Sequence, residues 1–343
     1  LMFMRYPIIR KFQVEEGKIA NLLFGAAFIS LPVSLLFLEV PGLSQFYFQF
    51  SSLSFIAGTL ALAFAIPLKK IWNTIICLFL YFFNFYGALT SGFKEPIIIS
   101  ILVLGIFLYP SYKKAVLLTF IPMLLLLFVF LPTYNRIFRQ NAWSEDVGTG
   151  EATQLALDAA ISSSKSSDLS PEEDSNWGFL AFRLSEIDMF TRFTESTPTK
   201  VDYYGLQLIN QSAIAIVPRI FWPSKPVTEE LVMERVYDAG VINRGSNVSA
   251  KPTFIVDAYL SAGGWGVFIF LFLYGAAAQL ICIKAETLFG GYILGASLMF
   301  SGLFQIMWRG LSFEFLINTV FWAYISMLLI QKIFVATGIL KKL

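Results

Sequence analysis

The chain has 343 residues, of which 57% are hydrophobic, 17% aromatic and only 14% charged, with a formal net charge of +2. A soluble domain carries about 25% charged residues, so this composition excludes a soluble enzyme, a disordered chain and a disulfide-stapled secreted module. It predicts an all-α, polytopic integral membrane protein. Histidine is absent, so proton chemistry falls to carboxylates, Lys, Tyr or the substrate. Cys77 and Cys282 sit in apolar runs and read as small core residues. The chain opens Leu1-Met2 without a basic, cleavable leader, which leaves room for upstream residues.

Eight runs approach the roughly 20 residues a helix needs to cross hydrocarbon. They lie near 19–38, 49–68, 72–90, 96–110, 114–132, 262–283, 291–308 and 314–335. Pro32 and Pro122 fall inside spans and predict kinks. The sixth has an indistinct start, because Gly263, Gly264 and Gly266 interrupt it. With the N-terminus inside, the inner segments hold twelve Lys or Arg, and the short outer connections hold only Lys94 and Arg309. This asymmetry places both termini in the cytoplasm and the long loop outside.

Three regions follow: an N-terminal bundle of five spans (1–132), an extracytoplasmic loop (133–253) and a C-terminal trio of spans (254–343). The loop holds 16 acidic and 11 basic residues. Its first part is acidic and serine-rich, so residues 144–175 are expected to stay solvated and flexible. Its second part collects Arg183, Arg192, Arg219, Arg235 and Arg244. Leu180, Leu184 and Ile187 recur at helical spacing and predict a helix lying on the membrane surface. A second helix is expected to end at Pro218. A third opens with Thr228 as N-cap and closes at Gly240.

Three polar islands are predicted at the outer face: residues 90–96 with Lys94, 218–226 with Arg219, Trp222 and Lys225, and 308–314 with Arg309 and Glu314. A cation at membrane depth is costly unless an anion meets it. The plain alternative is interfacial anchoring by Trp and snorkelling cations. Guanidinium forks match phosphate oxygens, which points to a lipid-linked phosphate or pyrophosphate. The net-acidic loop argues against nucleic acid. Asp257, Glu314, Glu195 and Asp188 are the candidate carboxylates, and Asp257 stands out by lying just before a span and beside Tyr259.

The stretch Pro218-Arg219-Ile220-Phe221-Trp222-Pro223-Ser224-Lys225-Pro226 resembles the PR-x-x-WP-x-KP signature of Wzy-type O-antigen and exopolysaccharide polymerases. Ser91-Gly92-Phe93-Lys94-Glu95 and Asp257-Ala258-Tyr259, followed by Gly263-Gly264-Trp265-Gly266, are similar to further elements of that family. The resemblance covers roughly residues 80–275. Family members often have more spans, and Asp257 stands where Glu is common. The resemblance implies a GT-C-like, metal-independent and cofactor-free glycosyltransferase of the bacterial inner membrane. Such an enzyme joins polyprenyl-pyrophosphate-linked repeat units at the periplasmic face, with flippase and chain-length regulator proteins as further partners beside membrane lipids. Arg219, Asp257 and Glu314 are then the expected catalytic residues. Arg192, Arg219, Lys225, Lys94, Arg244, Arg309, Arg183, Tyr259 and Trp222 are expected to line the pyrophosphate and substrate site. Two readings compete. An O-antigen ligase shares the architecture but depends on a periplasmic histidine that this sequence lacks. A transporter of lipid-linked sugar should show internal repeats, interrupted helices and midplane charges.

Overall fold

The computed structural model describes residues 10–90, 95–142, 148–165, 187–244 and 251–343. It is 77% helical. Among the described residues five helices are long and apolar enough to cross a membrane: Ile19–Glu39, Ser44–Ala65, Ile71–Thr90, Phe254–Leu288 and Phe313–Ala336. The chain is therefore an all-α protein of membrane character. It divides into two compact units, residues 55–187 and residues 1–54 with 188–343.

The first unit contains the second half of α2 (Tyr47–Ala65), α3 (Ile71–Thr90), α4 (Glu95–Leu108), α5 (Lys113–Ala142) and α6 (Thr149–Lys165). Ala63, Leu108 and Val116 form one buried cluster. Elsewhere Tyr81 and Ser100 share a buried hydrogen bond of 3.2 Å, which satisfies two hydroxyls inside an apolar bundle. α5 runs ten residues past the expected end of its span. Over 149–165 the expected flexible tract is instead the helix α6, while 144–147 and 166–175 lie outside the described residues. Ala152, Ala156 and Ala160 recur every fourth residue and bury against Tyr134 and Phe138 of α5, whose rings stack at 5.8 Å. Small side chains on one face let two helices approach closely, so few large apolar residues are needed.

The second unit contains α1 (Glu16–Glu39), the first half of α2, and three short helices: α7 (Ile187–Ser196), α8 (Gln207–Ile216) and α9 (Thr228–Asp238). It continues with α10 (Phe254–Leu288), a π-helical segment at Ile293–Phe300, a helical turn at Ile306–Arg309, and α11 (Phe313–Ala336). The seventh expected span is thus not one helix. α10 is broken at Ala262 and Gly263, where Gly263 takes φ 61° and ψ −145°. The glycines that blurred the sixth span mark this break, and helix begins eight residues before the expected start. The expected surface helix is present only as α7, since Leu180 and Leu184 lie outside the described residues. α8 ends before Pro218 as expected. Thr228 is the first residue of α9 rather than its cap, and no side chain caps that end. Glu229 and Glu230 still complement the amide end of the helix. A two-residue antiparallel ribbon pairs β1 (Phe12–Gln13) with β2 (Lys341–Lys342), so the two described ends of the chain lie side by side.

Candidate functional site

The core of this unit gathers Phe193 from α7, Leu208 from α8, Val236 from α9, Val256 and Leu260 from α10, and Phe313 and Leu316 from α11. Against it lies a buried ionic cluster. Arg235 donates from both terminal nitrogens to Glu314, Nη1 to Oε1 at 2.6 Å and Nη2 to Oε2 at 2.9 Å. Its Nη2 also stands 3.6 Å from Oδ1 of Asp257. Arg235 is 2% exposed and both carboxylates 0%.

Helix ends explain why these charges collect. Asp257 and Glu314 sit in the first turns of α10 and α11, and Arg235 in the last turn of α9. Two amide ends thus face one carbonyl end, and each side chain carries the charge its helix favours. Asp257 Oδ2 accepts the Phe313 amide at 2.8 Å and so closes the start of α11. The Gly310 carbonyl accepts the Phe254 amide at 2.6 Å and joins the two helix starts through backbone. Burial opposes the Arg235 charge, but the Asp257 and Glu314 carboxylates outweigh it and hold the guanidinium pKa above its usual value. Among the described residues, Asp257 Oδ1 accepts no hydrogen bond and Arg235 Nε donates none. Two carboxyl groups share one guanidinium.

The break in α10 positions Asp257 and Tyr259. Breaking the helix frees the carbonyls of Leu260 and Ser261, which accept the amides of Tyr204 and Gly205 at 2.9 and 3.1 Å. Tyr259 donates to the Thr197 carbonyl at 3.2 Å, and its ring meets Phe190 and Tyr203 edge-on.

Residues 218–226 form a second centre, a hook beyond α8. Lys225 is buried and donates to the carbonyls of Ala215 and Val217 at 3.0 and 2.7 Å, closing the end of α8. Burial, and then the neighbouring Arg219 charge, push its ammonium pKa down. Arg219 makes one long hydrogen bond, 3.4 Å, to the Pro226 carbonyl. Its other donors have no partner among the described residues. Trp222 Nε1 donates to Ser224 at 3.1 Å, and Phe221 beside it is 76% exposed. Lys225→Met should cost about 1–3 kcal/mol through two unsatisfied carbonyls, read as a lower thermal midpoint in detergent. An unchanged midpoint with lost activity would instead give Lys225 to the substrate.

The hook is fixed to α11. Gln211 of α8 stands 3.4 Å from Arg235, level with Glu314. Five residues on, the Ile216 carbonyl accepts Trp322 Nε1 at 2.8 Å. Eight residues separate Glu314 from Trp322, so the hook leaves α11 roughly 12 Å along from the ionic cluster. The turn between α1 and α2 lies at the same level: Phe46 meets Trp322 edge-on at 5.2 Å, and a Cβ on Gly42 would lie 2.9 Å from the Ile220 amide.

The expected site residues therefore fall into distinct groups. Asp257 and Glu314 are brought together by Arg235, which is not among the expected site residues. Arg219, Trp222 and Lys225 form the hook. Arg192 is exposed on α7, close in sequence to Phe190. Arg244, six residues beyond the end of α9, grips Glu234 and Asp238 at 2.9–3.2 Å and overlies the Tyr237 ring. Arg309 is half-buried in the turn before Gly310. Lys94 and Arg183 lie outside the described residues. Among those described, no three His, Cys, Asp or Glu side chains converge to hold a metal ion.

A family profile described as a domain of unknown function, DUF8712, matches residues 1–342. The chain belongs to the DUF8712 family. No curated protein and no solved structure matches it. For this DUF8712 member, chemistry therefore rests on the two centres themselves: a dry ionic cluster at three helix ends, and an aromatic hook with one largely unengaged arginine.

Proposed function

We propose that the protein is a metal-independent membrane glycosyltransferase of the bacterial inner membrane, a polysaccharide polymerase working at the periplasmic face with both termini in the cytoplasm. Its donor is a polyprenyl-pyrophosphate glycan, and its acceptor is the sugar end of another lipid-linked unit. The observation that carries this reading is Arg219, whose guanidinium keeps most of its donors beside Trp222 and the exposed Phe221 on a hook fixed to α11. Exposed aromatic residues of this kind favour the membrane–water interface, where the diphosphate of a lipid-linked sugar lies. A pyrophosphate leaving group is already activated, so catalysis requires neutralising its growing charge and orienting the acceptor hydroxyl. Arg219 does the first. Asp257, with one carboxylate oxygen that accepts no hydrogen bond, is the candidate proton acceptor.

Arg219→Ala and Arg219→Lys, made at normal protein levels, should both abolish long polymer, because a point charge does not replace a planar fork. Full-length polymer from both variants removes Arg219 from the reaction.

The interruption in α10 favours a second reading, since transporters use broken helices. Reconstituted protein that carries a labelled polyprenyl glycan across the bilayer without lengthening it selects the transporter. Lengthening without transfer across the bilayer selects the polymerase.

A further inference from the structure

We infer that α4 and α5 form a binding site for one anionic glycerophospholipid, with an acyl chain in their shared groove and the phosphate at Lys113 and Lys114. The groove has a volume of about 310 Å³ and is lined by Leu102, Gly105, Ile106, Tyr109, Phe120 and Leu124, among others. Its floor is Gly105, where the Phe120 ring comes within 3.0 Å of the place a Cβ would occupy. Its rim is open, with Ile106 61% exposed. This volume is at the small end of ligand pockets, which suits one hydrocarbon chain rather than a head group. Apart from Tyr109, the side chains named are entirely apolar, so nothing in the groove would compensate a buried polar group.

Charge selects the head group. Tyr109 opens the short turn that leads into Lys113 and Lys114, the first two residues of α5. Both lysines are exposed, and neither makes an ion pair among the described residues. Residues 96–144 contain no Asp or Glu, so this end of the groove is a cationic point without a counter-charge in its own sequence. α4 has 14 residues, a length of roughly 21 Å, short of the roughly 30 Å of hydrocarbon. So short a helix draws its flanking turn toward the lipid phosphates, or thins the bilayer around it. A zwitterionic lipid brings its own cation to such a turn, whereas phosphatidylglycerol brings a net negative charge.

The test titrates the full-length protein in neutral detergent with dioleoyl-phosphatidylglycerol and, separately, dioleoyl-phosphatidylcholine. Retained lipid is counted by native mass spectrometry, and folding is checked by far-UV circular dichroism. One phosphatidylglycerol per chain should be retained in preference to phosphatidylcholine. Lys113→Gln/Lys114→Gln should weaken its retention about tenfold or more, from the loss of two surface cations. Ile106→Trp, at an exposed position where a larger side chain fits without displacing the core, should fill the groove and reduce it as well. Millimolar inorganic phosphate should not compete, because it lacks the chain. Equal retention of the two lipids, wild-type retention by either folded variant, or displacement by phosphate alone overturns the site.

Discussion

Arg235→Ala should destabilise the unit formed by residues 1–54 and 188–343 by about 3–5 kcal/mol, because it leaves two buried carboxylates without their counter-ion. The expected readout is a sharp fall in the amount of folded protein recovered in detergent, together with a lower thermal midpoint. Arg235→Lys should rescue little, since an ammonium cannot reproduce the two parallel bonds to Glu314 or the third contact with Asp257. Replacing all three groups at once, Arg235→Met with Asp257→Leu and Glu314→Leu, should restore most of the stability, as apolar residues of similar volume often do for a buried ion cluster. That triple variant separates the roles. Recovered stability without polymer leaves Asp257 or Glu314 in the chemistry, whereas recovered stability with polymer makes the cluster purely a means of joining α9, α10 and α11.

The second large effect belongs to the break in α10. Gly263→Ala should be strongly destabilising for two reasons. A φ of 61° with ψ of −145° is open to glycine and strained for any other residue. A Cβ there would also stand 2.9 Å from the Tyr203 hydroxyl. Gly266→Ala should be worse, because its Cβ would meet the Ala258 carbonyl oxygen, a backbone atom that cannot swing aside. Overpacking of this kind costs about 1–3 kcal/mol and occasionally more. Gly264→Ala is the control, since nothing lies within 4 Å of its Cβ position. Equal stability of the three variants, measured as thermal midpoints in the same detergent, would show that α10 runs straight through this region.

Much of this architecture is legible in the sequence, because a run of apolar residues must either be buried or meet lipid, and hydropathy reads that directly. The helices at 16–39, 71–90 and 313–336 lie close to their expected bounds for this reason. α8 was also readable, because Pro218 stops it. The ionic cluster was legible only in part. Asp257 and Glu314 could be selected one by one, each beside an apolar run, but their partner lies 22 residues before one and 79 before the other. Nothing local distinguishes Arg235 from the other loop arginines. One signal was present, since Arg235 follows Val232 and precedes Val236 on a short helix, and a cation on an apolar face needs a buried partner. α6 is hard to read from the sequence because its buried face is three alanines spaced by four, and the large residues they pack on are the aromatic side chains of α5. For Lys225 the motif gives a cation beside Arg219, and the fold of the hook adds what the motif's spelling does not, the contact of its ammonium with the carbonyls ending α8.

The ribbon between residues 12–13 and 341–342 bears on how the molecule is made. Its two strands are separated by more than three hundred residues, so neither can pair until the other has been made. The Lys11 carbonyl receives the Leu343 amide, and Lys341 reaches Glu15 at 2.7 Å, only after residue 343 has left the ribosome. Pairing these two segments therefore follows the synthesis of every helix between them. Until then Phe12 and Gln13 are without their strand partners.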